Sequence, residues 1–583
     1  MLKKRRTNCL FPEELKVAVK QDRIWLKSEE LPEDTLRSLY VDLGYLDKID
    51  NNSNHLISGR RGTGKTHLLR AYKKYVQEEK APTDIAVLSS ILDISLRDTP
   101  FAEDCSGKRE SYLAARNLFD QFLRSIFDQI LQGVQGNLKR LSKSKSNEVN
   151  NLLTELLTEI ELGSKVPVRR SLSDGQIVDA AFADDRKAKK RLSPPLLIPE
   201  EAVSVAISEQ WDETDDETLM AYTGRINYQS VRELIHKILD MTDISVLHLL
   251  IDEWMELDKN TPSYIQNYFA QLLKKTFFNS PQISVVIASV WNQTSLYERA
   301  DMETSSGIQI GHDIQHTVDL DTSFLESVED IEQFCKDILF RRLSGKIEKL
   351  KAFEATDGGI DENFLIDIFD NLKNYKAYVA ASHGIPRDLM KIFKYGAQTI
   401  RGDFKNYCLD FQVIDDVARR IYRSEKRETI KPGSPTKHMW SEINQYMTQS
   451  GRRVFVVEEG AQKTSSAFRA LIDHELIHEI ANSTLPRWVR RQHRAYFIDY
   501  GNYVDWRRTL QSKLGDLIAE YVLPTWEGMT EDDLADLTLE VVADADRYIH
   551  CDACSAMNDM SHPVFRKRRI CISCGEDIVA NGV

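Results

Sequence analysis

Apolar residues along the chain follow two spacings, and the switches between them mark out alternating strands and helices. Continuous apolar runs at Leu56-Ile57 and over residues 84–94, 246–254 and 283–292 predict strands covered on both faces. Between them, Leu68, Leu69, Ala71 and Tyr72 recur at helical spacing, as do Leu118, Phe119, Phe122, Leu123, Ile126, Phe127 and Ile130, and the run 231–239. Strands that alternate with helices imply an α/β fold built on a parallel sheet. Residues 325–400 are mostly helical in pattern. The next segment predicts a smaller α+β unit: a helix at 437–447, a strand at 453–458, a second helix at 465–480, and a hairpin over 494–506 turning at Gly501-Asn502. Upstream, residues 13–20 and 31–40 carry helical spacing and predict a lead-in packed beside the core. Periodicity weakens over 137–225, where the charged runs 139–146, 184–191 and 212–218 and the pair Pro194-Pro195 predict a patchily helical insertion. Such a segment serves either as a solvated elaboration or as a binding arm. Residues 532–546 predict an acidic helix acting as a spacer.

The strand at Leu56-Ile57 runs into Gly59-Arg-Arg-Gly-Thr-Gly-Lys-Thr66, which fits the phosphate-binding pattern G-x-x-x-x-G-K-[ST] in its required context of strand, loop and helix. Gly59, Gly62 and Gly64 permit backbone turns that a Cβ would obstruct, so successive N–H groups of Arg60, Arg61, Thr63 and their neighbours can converge on a phosphate at the helix start. Lys65 would reach the β- and γ-phosphates and the Thr66 hydroxyl would hold Mg²⁺, with His67 in the first helical turn. The run 246–254 ends in Asp252 and Glu253, an acid-tipped buried strand of the Walker B kind. Asp252 would support Mg²⁺, directly or through water, and Glu253 would orient and activate the attacking water. At the end of the 283–292 strand, Asn292 is the first candidate and Ser289 the second for a polar contact to the γ-phosphate or the water; a plain loop residue is the alternative.

Composition narrows the class. At 583 residues the chain should hold about three or four domains. Mean hydropathy is −0.40 and no apolar run approaches the ~20 residues needed to cross a bilayer, so no membrane span is expected. The start has no apolar signal region, and a cytoplasmic location is expected. A net charge of −13 argues against a chain that coats nucleic acid, although a local basic face is compatible with it. Of eight cysteines, Cys9, Cys105, Cys335 and Cys408 are scattered. Cys551, Cys554, Cys571 and Cys574 form two C-x₂-C pairs whose separation suits a four-thiolate structural Zn²⁺ site. Paired disulfides are the rival, which a reducing compartment disfavours. The basic loop 565–569 between the pairs could meet nucleic acid or an acidic partner.

These motifs together resemble the AAA+ class of ATPases rather than kinases or GTPases: no guanine-reading Asn-Lys-x-Asp occurs, and the strand after the acidic pair is sensor-like. Gly384-Ile-Pro-Arg387 matches the sensor-2 signature Gly-x-Pro-Arg of the origin-recognition initiator clade. The resemblance covers residues 45–400 and extends beyond. It implies a helical lid whose Arg387 reaches back to the γ-phosphate, and then a winged helix. The expected organisation is a helical lead-in (1–44), an AAA+ P-loop core (45–324), a lid (325–425), a winged helix (426–525), a spacer (526–547) and a zinc ribbon (548–583). Two departures stand out. The insertion separates the P-loop from Asp252 by far more chain than a minimal core needs, and the expected recognition helix carries Asp473, Glu475 and Glu479, which would repel phosphate. If DNA is bound, the contacts expected are Arg487, Arg490, Arg491, Arg494, Arg507 and Arg508, with Trp488 among them; otherwise the winged helix docks a protein. An arginine supplied between subunits could be Arg299, Arg341 or Arg342. The resemblance thus implies an ATP-binding and hydrolysing switch, self-assembling or partnered. It would act on DNA or a DNA-bound partner, or else as a signalling ATPase of an antiphage or antiplasmid system that controls a separate effector.

Overall fold

The structure is a computed structural model that describes residues 31–95, 108–162, 167–168, 221–222, 226–257, 264–278, 280–290, 293–298, 306–320, 328–345, 347–354, 359–399, 408–461, 465–480, 489, 492–509 and 530–541, together with 548–551, 557–560, 565, 568–571 and 574–576. Five strands form the central sheet: β1 (His55–Ser58), β2 (Asp84–Ser90), β3 (Val246–Asp252), β4 (Ile283–Ser289) and β5 (His316–Asp319). Their order is β2-β3-β4-β1-β5, and every pairing is parallel. Alternate residues face opposite sides. Ile57, Leu250, Val286 and Ala288 enter one apolar cluster, while Leu56, Leu249, Val285 and Ile287 enter another. Both faces are therefore covered, which is why β3 and β4 read as unbroken apolar runs.

One face is covered by α2 (Lys65–Tyr75), on which α1 (Glu33–Leu39) packs, the other by α3 (Lys108–Leu138), α4 (Lys143–Leu162), α5 (Tyr228–Met241) and α6 (Tyr264–Phe277). The α4 helix lies within the segment expected to be patchily helical over 137–225, and it packs on the core. Val149, Leu153, Leu156 and Ile160 form a buried stripe at helical spacing, which the Lys- and Ser-rich start of the segment conceals. The segments 13–20 and 169–220 lie outside the described residues.

Helices α7 (Val328–Ser344), α8 (Asn363–Phe369), α9 (Leu372–Ser382), α10 (Pro386–Thr399) and α11 (Phe411–Ile421) follow. Their buried Phe334, Leu339, Phe364, Tyr378, Leu389 and Ile414 join the same cluster as α2 and β1, so this helical unit is packed onto the P-loop side of the sheet. Next comes the α+β unit: α12 (Pro435–Ser450), β6 (Val454–Glu458), α13 (Ser466–Asp473), β7 (Ile477–Glu479) and β8 (His493–Ile498), with the antiparallel order β6-β8-β7. Trp440, Ile443, Phe455, Phe468, Leu471 and Tyr496 fill its core.

Two expectations fail here. The helix predicted over 465–480 stops at Asp473, because Ile477 and Glu479 pair with Ile498 and Tyr496 of β8 and strand pairing overrides helical spacing. The hairpin predicted at Gly501-Asn502 is instead α14 (Tyr500–Thr509), whose buried Tyr500, Tyr503, Val504 and Arg507 share a helical face. Gly501 serves close approach rather than a turn: a Cβ there would lie 2.3 Å from the Ala418 carbonyl oxygen of α11. Further on, α15 (Glu531–Leu537) carries a capping box at Thr530, and the Leu539 N–H donates to the Val456 carbonyl at 2.8 Å, tying this acidic segment to β6. A two-strand ribbon, β9 (Tyr548–His550) with β10 (Met557–Asp559), follows. Among the described residues no helix is long and apolar enough to cross a membrane. The Gly501–Ala418 approach predicts that Gly501→Ala costs about 1–3 kcal/mol by overpacking. A urea titration of variant and parent measures this, and coincident midpoints would contradict the packing described.

Candidate functional site

The parallel register brings Ser58, Ser90, Asp252, Ser289 and Asp319 to one edge of the sheet, since Ser90 lies opposite Asp252, Ser58 opposite Ser289, and Ser58 opposite Asp319. Ligand sites of open α/β sheets lie at this carboxyl edge. From β1 the chain enters residues 59–66, with Gly62 and Gly64 at φ of 88° and 101°. Gly62 must be glycine for a second reason: a Cβ would lie 2.7 Å from the Arg387 Cβ. Lys65 is buried, and its ammonium donates to the carbonyls of Gly59 at 2.7 Å and Arg60 at 2.8 Å.

Across β4, the Thr66 hydroxyl meets the buried Asp252 carboxylate, which also accepts the Glu253 N–H at 2.9 Å. Burial pushes the Asp252 carboxyl up to about 6, opposed first by the Thr66 hydroxyl, with Lys65 contributing least. A buried carboxylate beside a hydroxyl, at the start of a helix, suits a hard divalent cation with oxygen ligands. Glu253 stands at φ 57° and its Oε2 accepts the Ser90 hydroxyl at 2.7 Å. Ser90 is a residue the sequence did not single out, because its role depends on the β2–β3 register.

The remaining predicted residues divide. The Thr63 hydroxyl donates to the Arg60 carbonyl at 2.9 Å, bracing the loop. Arg61 pairs with Glu256 at 3.2 Å. His67 turns away, its ring nitrogen 3.0 Å from the Leu36 carbonyl of α1, and burial pushes it down to about 4. Ser289 is buried, and its hydroxyl oxygen accepts Thr294 at 2.6 Å. Asn292 and Arg299 lie outside the described residues. Arg341 donates to the Tyr40 carbonyl at 2.5 Å and so faces inward; burial lowers the Arg342 guanidinium.

Arg387, in the first turn of α10, reaches the loop: its N–H donates to the Gly62 carbonyl at 3.3 Å, and its guanidinium pairs with Asp388 at 3.1 Å and with Glu475 of the α+β unit. A second bridge joins Arg60 to His478 at 3.0 Å. His478 stacks on His383 with ring centroids 3.8 Å apart, and Lys426 pairs with Asp499 at 2.7 Å beside them. His383, His478 and Asp499 are close enough to share an ion; Arg60, Arg453 and Lys426 bond one atom of each, while His383 Nδ1 and His478 Nε2 are buried with no hydrogen-bond partner among the described residues, the latter 3.6 Å from Asp499. Neither histidine nor Glu475 could be assigned here from sequence, where the latter two fall in an apparent helix.

The arginines expected to meet DNA are mostly engaged or undescribed. Arg507 is buried against Asp415 at 3.0 Å, and Arg508 pairs with Asp416. These two belong to the α11–α14 contact, a correction to their assignment as DNA contacts. Arg494 pairs with Glu459 at 2.7 Å and Glu479 at 3.5 Å. Arg487, Trp488, Arg490 and Arg491 lie outside the described residues. At the ribbon, the thiols of Cys551, Cys571 and Cys574 lie within 4.8 Å of one another, and the Asn558 amide donates to the Cys571 sulfur at 3.5 Å. Clustered thiols with an amide donor suit a soft-ligand metal such as zinc. Cys554 lies outside the described residues.

Residues 26–91 match the family model described as ORC-CDC6-like. Among solved structures, the Walker-type ATPase PABY2304 of Pyrococcus abyssi is similar at a TM-score of 0.31 and 11% identity, covering 84% of this chain and 99% of that one. That likeness is too loose to transfer any property. No curated protein matches the chain. The parallel sheet, the glycine loop and the acid-tipped strand define a P-loop core of the AAA+ type. The first part of this core, residues 26–91, is what is similar to the ORC-CDC6-like family.

The network around His478 has a pH consequence. Burial pushes His478 down to about 4, whereas the unfolded side chain titrates near 6.5. Its contribution to stability is complete above about 6.5 and is lost as pH falls toward about 4, a change of about 1–3 kcal/mol. Thermal unfolding followed from pH 7.5 to 4.5 should show a falling midpoint, less steep in His478→Gln; parallel curves for the two proteins would contradict this assignment.

Proposed function

We propose that the chain is an ATP-binding and ATP-hydrolysing AAA+ switch of the origin-recognition type. The observation that carries this reading is the meeting of Lys65 and Thr66 with Asp252 at one sheet edge, with Glu253 adjoining. Residues 59–66 bind the phosphates through backbone N–H groups, and Lys65 exchanges its loop carbonyls for β- and γ-phosphate oxygens. Thr66 and Asp252 would hold Mg²⁺, which when bound offsets charge on the phosphates. Glu253 leaves the Ser90 hydroxyl to orient the attacking water and accept its proton. Arg387 and Lys65 stabilise the charge that develops on the γ-phosphoryl group, giving ADP and phosphate. Asn292 is the proposed further polar contact.

The α+β unit is read as a winged helix and the terminal segment as a zinc ribbon, in which Cys551, Cys554, Cys571 and Cys574 would hold Zn²⁺ as a structural staple. As in the sequence reading, the switch acts on DNA or a DNA-bound partner, with Arg487, Arg490, Arg491 and Arg494 as the DNA-facing set. The second reading, a signalling ATPase that controls an effector through protein contacts, gains from the internal pairing of Arg494, Arg507 and Arg508.

Lys65→Ala should abolish Mg·ATP binding in calorimetry. Glu253→Gln should bind ATP as the parent does while turnover falls about 10²-fold or more, and equal turnover would remove Glu253 from its role. Metal analysis should return one zinc per chain, lost together with the ribbon in Cys571→Ser. Salt-dependent DNA binding that disappears in the combined Arg490→Ala, Arg491→Ala variant supports the DNA reading; absence of DNA binding by the parent favours the protein-docking one.

A further inference from the structure

One turn of the α+β unit, between α13 and β7, approaches the P-loop from the side on which Arg387 lies. Together with the last residue of α13 and the middle residue of β7 it makes two contacts with the P-loop and Arg387 and a third beside the end of β4. Asp473 lies against Gln293, just beyond β4, and within the field of Arg61. The Glu475 carboxylate takes the Arg387 guanidinium, and His478 takes Arg60. Glu475 adopts φ 57°, a left-handed conformation that costs energy for a residue with a Cβ. The packed Leu476 and the pairing of Ile477 with Ile498 hold it there, so the carboxylate's aim at Arg387 is imposed by the fold.

Arg387 is held through its backbone N–H and through its guanidinium, which pairs with Asp388 and Glu475. Its backbone N–H is fixed to the Gly62 carbonyl of the loop, and 42% of its side chain remains exposed at the cleft. The guanidinium can therefore swing toward a phosphate without α10 moving. Asp388 already takes its Nε at 3.1 Å and Glu475 its Nη2, so a terminal phosphate brought to that Nη2 would be a third anion around a single cation and must displace Glu475, the partner supplied by the α+β unit. The turn's hold on the P-loop consists of this same bond together with the Arg60–His478 bridge, whose arginine sits inside the phosphate loop, while α14 stays anchored to α11 through Arg507–Asp415 and Arg508–Asp416.

We propose that Glu475 is a built-in competitor of the γ-phosphate for Arg387, so that binding of a nucleoside triphosphate, but not a diphosphate, loosens the turn 473–478 from the P-loop. The proposal rests on the reading that the site binds ATP with Arg387 facing its terminal phosphate. A diphosphate fills the loop but presents no group at the Glu475 position and leaves the latch in place. The site thereby reports the presence of one phosphoryl group as attachment or release of this turn, a two-state element biased by ligand.

The full chain is tested by calorimetry with Mg·ATPγS and Mg·ADP, comparing the parent, Glu475→Gln and Arg387→Ala, and by hydrogen exchange over residues 465–480 of the parent. The expected result is that Glu475→Gln binds ATPγS about 5-fold more tightly or better with ADP affinity unchanged. In the parent, ATPγS and not ADP should speed exchange over 473–480. Arg387→Ala should lose the preference for triphosphate. Should both nucleotides bind, and Arg387→Ala lose that preference, while Glu475→Gln leaves the ratio of affinities as in the parent and exchange over 473–480 is the same in both complexes, the latch is overturned and the ATP reading stands. Failure of either nucleotide to bind the parent overturns the ATP reading and the latch with it. The exchange measurement needs no variant and decides the matter even if Glu475→Gln misfolds.

Discussion

The contact between the Thr66 hydroxyl and the Asp252 carboxylate is the constraint on which the rest of the molecule depends. Its two residues are separated by the whole insertion in sequence and by an intervening strand in space. They meet because β1, β4 and β3 are parallel and in a register that ends them at the same level. A one-residue slip in any of these pairings would turn Asp252 to the opposite face and bury its charge among the residues of an apolar cluster. Both β3 and β4 are buried along their whole length, so the polar edge that carries Asp252 is backed by strands packed on both faces.

Around this point the chain is layered by how directly each piece feels a phosphate. The glycine loop and the strand ends form a rigid floor. The helical unit contributes one arginine and shares an apolar cluster with α2, so it is joined to the floor by packing. The α+β unit is joined to the loop by polar bonds, Arg60 to His478 and Arg387 to Glu475, while α14 contributes Tyr500 and Val504 to the shared cluster. Polar bonds to a loop that itself recognises an anion are the contacts a ligand is best placed to exchange.

Much of this was legible in sequence. The P-loop, the acidic pair ending β3 and the helical unit with Arg387 each carry a local signature, and unbroken apolar runs identify strands covered on both faces. What stayed hidden depends on relations between distant segments. Ser90 matters because it lies across from Asp252. Glu475 and His478 read as helix because Leu471, Ile472 and Leu476 keep a helical spacing up to the point where pairing with β8 takes over. Gly501-Asn502 carries the composition of a hairpin turn, yet the glycine admits a neighbouring helix. The arginines near the C-terminal half looked like a nucleic-acid face, and Arg507 and Arg508 proved to be matched by acids of α11 that no local pattern connects to them.

The central claim is that one triphosphate is gripped between residues 59–66 and Asp252. An experimental structure of the full chain with magnesium and a non-hydrolysable ATP analogue tests it most directly. The account predicts phosphates cradled by the N–H groups of the glycine loop, the metal between Thr66 and Asp252, and the Arg387 guanidinium turned from Glu475 toward the terminal phosphate. Nucleotide bound elsewhere, or phosphates in the loop with Asp252 remote from the metal, would contradict it.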